Sequence, residues 1–303
     1  MSQTKANLPL LISAFARAYH SKYDTPVIFN DSLAGKLITD EEYEAISEQM
    51  VQGIRYFNPE IAAKYNGQPD ELLKYITQVQ LAPTTLSRSA YCEKVLKHEC
   101  MLGASQYVIL GAGFDTFSIR EREAQPIDIF EVDRPAVQEL KRDRLDKANL
   151  PVPSHLHFIA MDFENEFSPE GLIQEGFKKV KTFFSLLGVS YYLTEDALKE
   201  LLIELFSLVP EGSSIVFDYA DANTWDGHGV ANRVEKFVQL AQASGEPIKS
   251  CYTYRTIERL VEEAGLLVYE HLTPEMIDEQ FFGERDDYLS AFETIHFIHA
   301  VKK

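Results

Sequence analysis

The sequence predicts an α/β fold, a doubly wound and mostly parallel sheet of seven strands with helices on both faces, and three observations predict it. A β-prone run, Gln106-Tyr107-Val108-Ile109-Leu110, leads directly into Gly111-Ala112-Gly113, where a buried parallel strand must turn sharply into a helix. A second apolar run, Ile127-Asp128-Ile129-Phe130-Glu131-Val132, brings Asp133 to its carboxyl end about 20 residues beyond Gly111. From there strand-like and helix-like segments alternate, whereas the first hundred residues read as helix alone.

Residues 8–19, 32–37 and 41–54 carry short amphipathic patterns, with turn signals at Tyr23-Asp24-Thr25-Pro26 and Asn58-Pro59 between them. Helices over 71–80 and 87–100 follow, separated by Leu81-Ala82-Pro83-Thr84-Thr85. Helices without strands of their own must lie on something larger. Residues 1–86 are therefore read as a helical cap over the sheet's carboxyl edge, and 87–303 as the core of the same integrated domain. A charged helix over 135–149 ends at Pro151-Val152-Pro153, and the third and fourth strands fall at 155–160 and 182–187. Thr194-Glu195-Asp196-Ala197 places a hydroxyl cap and two acids at the first turn of a helix whose face is Leu198, Leu201, Leu202, Leu205 and Phe206. Pro210-Glu211-Gly212 turns into the fifth strand at 213–219. Residues 222–249, with Gly227, Gly229 and a helix around 231–243, have the length of a lid insertion. A helix at 256–264 and strands at 266–272 and 291–301 complete the sheet.

Composition narrows the function. A chain of 303 residues, 45% hydrophobic, fits one α/β domain with elaborations. A net charge of −18 argues against nucleic acid, whose phosphates require a lysine- and arginine-rich face. No apolar run approaches the roughly 18 residues of a membrane span. Residues 1–12 lack the pattern of a signal peptide, so a cytoplasmic protein away from membranes is expected. Cys92, Cys100 and Cys251 are too few and too scattered for a disulfide framework. His155-Leu156-His157 and His296-Phe297-Ile298-His299 have no neighbouring acid or thiol to complete a metal site, so no metal is expected. Ser185 and Ser190 lie outside any Gly-x-Ser-x-Gly elbow, which removes a hydrolase.

The glycine turn carries the chemistry. A Cβ at Gly111 or Gly113 would restrict φ and hold a ligand off the backbone, so the pair indicates a ligand lying against the main chain. An acid at the end of the second strand can accept both hydroxyls of a ribose. Each signal alone has a plain structural reading, a tight turn or a helix N-cap, but together at this spacing they favour a nucleoside. A dinucleotide fingerprint would need a third glycine at position 116, which is Thr116. S-adenosylmethionine keeps adenosine and the ribose diol without a pyrophosphate and fits better than NAD. Met161-Asp162-Phe163 ends the third strand with an acid and an aromatic ring suited to an adenine.

Leu110-Gly111-Ala112-Gly113-Phe114-Asp115-Thr116, Glu131-Val132-Asp133-Arg134-Pro135-Ala136-Val137 and Leu187-Gly188-Val189-Ser190-Tyr191-Tyr192-Leu193-Thr194 together resemble the leucine carboxyl methyltransferase family. The likeness is closest to its bacterial branch of O-methyltransferases associated with polyketide tailoring, and it runs from about residue 87 to the C-terminus. It implies a class I, Rossmann-like methyltransferase with S-adenosylmethionine as cofactor and S-adenosylhomocysteine as product. Gly111, Ala112 and Gly113 would pass the methionine part, Asp133 and Arg134 the ribose, Asp162 and Phe163 the adenine, with Leu187 on the cofactor's edge. Arg88 stands where similar proteins hold the cofactor carboxylate, and a guanidinium matches a carboxylate as a fork. Asp115 and Arg120 fit the family pattern, Asp115 reading better as a helix cap. Phe117 and Leu187 depart from it, standing where related chains carry arginine and glutamate, and both move the substrate away from protein carboxyl termini.

The implied reaction is direct displacement of the sulfonium methyl by an oxygen nucleophile, for which the protein supplies alignment and desolvation. A carboxylate acceptor needs no base. A phenol or alcohol would benefit from one, and His20, His228, Asp221 and Tyr191 are candidates. Tyr19, Tyr23, Tyr191 and Asp221 are the expected substrate-binding residues. Phe15, Tyr19, Tyr23, Phe29, Tyr56, Phe57 and Trp225 give the cap and lid an aromatic content suited to a flat or apolar small-molecule acceptor. A NAD-dependent oxidoreductase and a catalytically idle cofactor-binding protein stand as alternatives. The sequence leaves the acceptor's identity and the oligomeric state open.

Overall fold

A computed structural model describes residues 8–121, 127–162 and 167–303. Its centre is a seven-stranded sheet of β1 (Gln106–Leu110), β2 (Asp128–Asp133), β3 (Leu156–Ala160), β4 (Thr182–Leu186), β5 (Ser214–Ala220), β6 (Leu266–Leu272) and β7 (Ile295–Lys302), in the spatial order β3-β2-β1-β4-β5-β7-β6. The five strands from β3 to β5 are parallel, and β7 runs antiparallel between β5 and β6. β1 is flanked by β2 on one side and β4 on the other, so the chain order reverses there and a crevice opens beyond the carboxyl ends. Every residue of β1, β4 and β5 is buried, which is why these segments read as unbroken apolar runs rather than alternating ones. Side chains alternate across the sheet: Tyr107 and Ile109 enter one core, Val108 and Leu110 the other.

The preceding helices are α1 (Leu8–Tyr23), α2 (Asp40–Phe57), α3 (Pro59–Lys64), α4 (Pro69–Ile76) and α5 (Ala82–Met101). Thr39 and Glu42 form a reciprocal capping box at the start of α2. The break expected between the last two is absent. α4 passes through a π-helical turn, Thr77–Leu81, straight into α5, because Pro83 falls in the first turn of α5, where a missing N–H costs little. The π turn rests on Gln78, whose amide donates to Asp24 (2.7 Å) and accepts from the Tyr288 N–H (3.2 Å).

Between and after the strands lie α6 (Phe117–Arg120), α7 (Pro135–Lys147), α8 (Pro169–Gln174), α9 (Glu195–Ser207), α10 (Arg233–Ser244), α11 (Tyr254–Glu263) and α12 (Pro274–Phe281). Thr194 caps α9 by accepting from the Ala197 N–H, and Leu198, Leu201, Leu202, Leu205 and Phe206 form its buried face, as the sequence indicates. α12 was not expected, although Thr273 and Pro274 supply an N-cap and a first-turn proline. The last strand starts at Ile295 rather than 291. Among the described residues, no helix is long and apolar enough to cross a membrane.

α1 is tied to the sheet by charge. The wholly buried carboxylate of Asp31 accepts from Arg17 Nη1 (2.6 Å), Thr116 Oγ1 (2.7 Å) and the Ala34 N–H (3.1 Å), while Arg17 Nη2 donates to the Phe114 carbonyl (2.8 Å). Thr116 is thus engaged through its hydroxyl, which a glycine would lack.

His296 and His299 have helical spacing but sit in β7, so they point to opposite faces. His296 Nδ1 meets His271 Nε2 at 3.0 Å, the His271 ring stacks on Tyr254 at 4.3 Å, and His299 approaches Glu99 at 3.6 Å. Burial, with His296 adding to it, lowers the His271 pKa from 6.5 to about 4; burial, with Lys181 adding to it, does the same for His299.

Two outcomes are expected. Asp31→Ala strands the Arg17 guanidinium and should cost about 3–5 kcal/mol in urea unfolding. The unfolded chain binds protons on these histidines below 6.5 while the folded one resists until about 4, so their contribution is complete above 6.5 and is lost as pH falls through that window. Unfolding free energy should therefore drop across it, and His271→Gln should flatten the drop; an unchanged profile in that variant contradicts the assignment.

Candidate active site

Beyond β1 the chain turns at Gly111 (φ 69°) and Gly113 (φ 48°), conformations that favour glycine. The N–H groups of Gly111 and Ala112 both donate to the Val132 carbonyl (2.8 and 3.2 Å), which pins the turn to the end of β2. There Asp133 accepts one amide on each oxygen, Gly113 N–H on Oδ2 and Arg134 N–H on Oδ1, both at 2.7 Å. Each oxygen keeps a lone pair, the arrangement that a vicinal diol requires. Burial pushes the Asp133 pKa up against the downward pull of these amides. Behind it, the buried Glu131 takes Lys141 (2.5 Å) and so fixes α7 against β2.

Across the crevice, α5 supplies Arg88. Its Nη1 donates to Asp218 Oδ2 (3.2 Å) and to the Tyr191 hydroxyl (3.4 Å), and Asp218 Oδ1 accepts from the Gly188 N–H (2.6 Å). Gly188 has φ 73°, and a Cβ there would lie 2.5 Å from Arg88 Nη1, so the guanidinium rests on bare backbone. Burial raises the Tyr191 phenol to about 12, which makes it a neutral hydroxyl rather than a base near pH 7. Arg134 Nη2 reaches Glu246 Oε1 (2.7 Å), joining the end of β2 to the chain just after α10.

These groups surround one cavity of about 320 Å³, within the usual range for small-molecule sites. Of the residues expected from sequence, Arg88, Gly111, Ala112, Gly113, Asp133, Arg134, Asp162, Leu187 and Tyr191 all line it. Phe163 lies outside the described residues, as do the side chains of Tyr56 and Phe57. Tyr19, Tyr23 and Asp221 do not line it. Tyr19 is buried against Phe15 and Tyr23, Tyr23 is half exposed beside it, and Asp221 caps the 3₁₀ turn Ala222–Asp226 while facing His296. Of the candidate bases, Tyr191 lines the cavity and Asp221, His20 and His228 do not. His20 commits Nδ1 to Asp24 (2.6 Å) and Nε2 to the Ile28 N–H (2.8 Å), and His228 is outside the lining.

Phe15, Phe29 and Trp225 are also absent from the wall. Their segments reach it through other side chains: Leu8, Leu10 and Ile12 from α1, Gln80 and Thr84 from the π turn and α5, Phe237 and Leu240 from α10. Sequence reasoning missed these, together with Gly188, Asp218 and Phe292. A glycine directly after an apolar strand was a legible signal for Gly188; the others come from distant segments with no local mark. Asp115 also lines the cavity and caps α6 through the Phe117 N–H (2.8 Å), whereas Arg120 turns away to Glu93.

Known proteins resemble this chain in sequence and in fold. A family model described as leucine carboxyl methyltransferase matches residues 10–206, beginning inside α1 and so well before the expected start near residue 87. A relative from Bacillus subtilis (strain 168), named "Putative S-adenosyl-L-methionine-dependent methyltransferase YktD", is 57% identical over 304 residues, covering 100% of both chains. A Saccharopolyspora erythraea relative bearing the same description is 27% identical over 132 residues, 43% of this chain and 46% of its own. Among solved structures, a DUF574 family protein from Streptomyces avermitilis MA-4680 has the same fold, with a TM-score of 0.56 and 14% identity over 96% of this chain and 97% of its own.

The glycine turn gives one prediction. Gly113→Ala forces a left-handed alanine and brings a Cβ within 3.3 Å of Leu10, so unfolding free energy should fall by about 1–2 kcal/mol; an unchanged urea midpoint would count against the turn geometry.

Proposed function

Because this chain belongs to the leucine carboxyl methyltransferase family and is an S-adenosylmethionine-dependent methyltransferase, we propose that it methylates a carboxylate or hydroxyl oxygen of a small apolar acceptor. The observation that carries this reading is the polarity of this cavity: Asp133 and Asp162 stand at the strand ends, Arg88 comes in from α5, and Leu10, Ile12, Phe237, Leu240 and Phe292 supply apolar surface.

The residues present fit the cofactor. Asp133 offers two oxygens with free lone pairs to the ribose diol, and Gly111 to Gly113 leave the backbone bare where the methionine part would pass. Arg88 keeps Nη2 without a protein acceptor among the described residues, open to a carboxylate. Asp162, just beyond β3, lines the cavity, which supports its reading as the adenine's partner. When bound, S-adenosylmethionine supplies a methyl group already activated as a sulfonium. The chain's part is to align and to exclude water, and Leu10, Ile12, Phe237, Leu240 and Phe292 form a wall suited to both.

Residues 1–86 act in this reading as a cap and 222–249 as a lid. Both touch the cavity, and α10 is anchored at Arg233, which donates to the Val79 carbonyl (3.1 Å) and pairs with Glu293 (2.8 Å). Tyr191 lines the same cavity, and its neutral hydroxyl accepts from Arg88.

Calorimetry should give binding of S-adenosylmethionine and S-adenosylhomocysteine and none of NAD. Asp133→Ala and Arg88→Ala should each weaken S-adenosylhomocysteine by about 1.5–3 kcal/mol, the scale of hydrogen bonds to a charged group. Wild-type affinity in either folded variant removes that residue from the site. Labelled methyl transferred to an acceptor separates the two oxygens: an ester loses it in mild alkali and an ether keeps it.

A further inference from the structure

Asp218 does not line the cavity, yet it is the only fully buried carboxylate hydrogen-bonded to Arg88 among the described residues. Its two oxygens have separate tasks. Oδ1 accepts from the Gly188 N–H at 2.6 Å and holds the turn after β4; Oδ2 accepts from Arg88 Nη1 at 3.2 Å. The guanidinium is pressed onto the bare backbone of Gly188, where a Cβ would stand 2.5 Å from Nη1 and 2.6 Å from Nη2. One edge of the fork is thereby fixed by Asp218 and the Tyr191 hydroxyl, while Nη2 has no protein acceptor among the described residues.

We propose that Asp218 is a positioning residue for the cofactor's carboxylate, acting through Arg88: it locks the guanidinium against Gly188 so that the other edge of the fork is presented to the cavity. The inference rests on the reading of Arg88 as the carboxylate's partner. An arginine free to rotate would pay rotamer entropy on binding, and one already held in place does not. The buried acid also keeps the guanidinium from being left as an isolated charge in a low-dielectric wall. Its position in the middle of the β5–β7 pairing makes the arrangement rigid, since Asp218 lies opposite Phe297 within an unbroken ladder.

Asp218→Asn separates the two tasks, because the amide oxygen can still accept from the Gly188 N–H while its NH₂ cannot accept from Arg88. The test measures binding of S-adenosylhomocysteine and of its decarboxylated analogue, which keeps the adenosine and the amine. Asp218→Asn should weaken the carboxylate-bearing ligand by about tenfold or more and leave the analogue within about twofold. Arg88→Ala should do the same, and the double variant should lose no more than Arg88→Ala alone. Loss in Arg88→Ala with none in Asp218→Asn overturns the positioning role and leaves Arg88 in place. Equal weakening of both ligands by Asp218→Asn also overturns it, by making the residue a support of the whole cavity. No loss in Arg88→Ala removes the reading of Arg88 and this inference with it. Should Asp218→Asn fail to fold, Gly188→Ala must push the guanidinium off Asp218, and the same selective loss is expected; unchanged affinity there refutes the proposal.

Discussion

The Asp31 carboxylate is the contact on which the rest of this structure depends. It lies wholly inside the protein and gathers a guanidinium from α1, a hydroxyl from the turn after β1 and a backbone amide of its own loop. Arg17 then passes the restraint to the Phe114 carbonyl, one residue beyond Gly113. Loss of either charge would leave the other buried and unpaired, so the pair is costly to break whatever its net contribution to stability. Through it, the N-terminal helix and the glycine turn hold a fixed relation, and the apolar face of α1 becomes a wall of the cavity instead of a surface.

On the other side of the crevice a second buried acid, Asp218, organises the end of β4 and the guanidinium above it. The site therefore has two carboxylates that work by holding backbone amides, Asp133 on Gly113 and Asp218 on Gly188. Both amides belong to residues with positive φ. In each case the acid compensates an N–H that the sharp turn leaves without a strand partner, and the glycine lets something approach the backbone. Polar atoms are thus concentrated at the strand ends, where the topology opens the crevice, and the helices that cover it bring mostly hydrocarbon. Such a division suits a reaction in which the protein aligns two reactants and keeps water away.

Sequence reading reached far along the sheet and less far over it. β1, β2 and β4 fall within a residue of where the apolar runs place them, because parallel strands buried on both faces leave an unmistakable local mark, and β6, an antiparallel edge strand, also keeps its expected bounds. The helix after Thr194 is likewise legible from its cap and its leucine face. Proline misled at position 83, since a proline in the first turn of a helix resembles one that ends a helix. α12 was overlooked in a segment whose apolar residues are few. Tyr19 and Tyr23 show the deeper limit. Their ring chemistry suited a substrate pocket, and only the docking of α1 decides that its leucines and isoleucine, not its tyrosines, face the cavity.

By itself, the sequence determined the doubly wound sheet, the glycine turn and the acid at the end of β2, because each depends on neighbours within a few residues: a run of β-branched and aromatic side chains, a φ that only glycine adopts freely, an acid closing a strand. Tertiary structure alone decided the partners of Arg88, the tie between Arg17, Asp31 and Phe114, and the convergence of Leu10, Gln80, Phe237 and Phe292 on one cavity. Those groups lie tens to hundreds of residues apart. Their meeting is set by how helices pack on the sheet, through shape and buried charge, and no local pattern of residues records it.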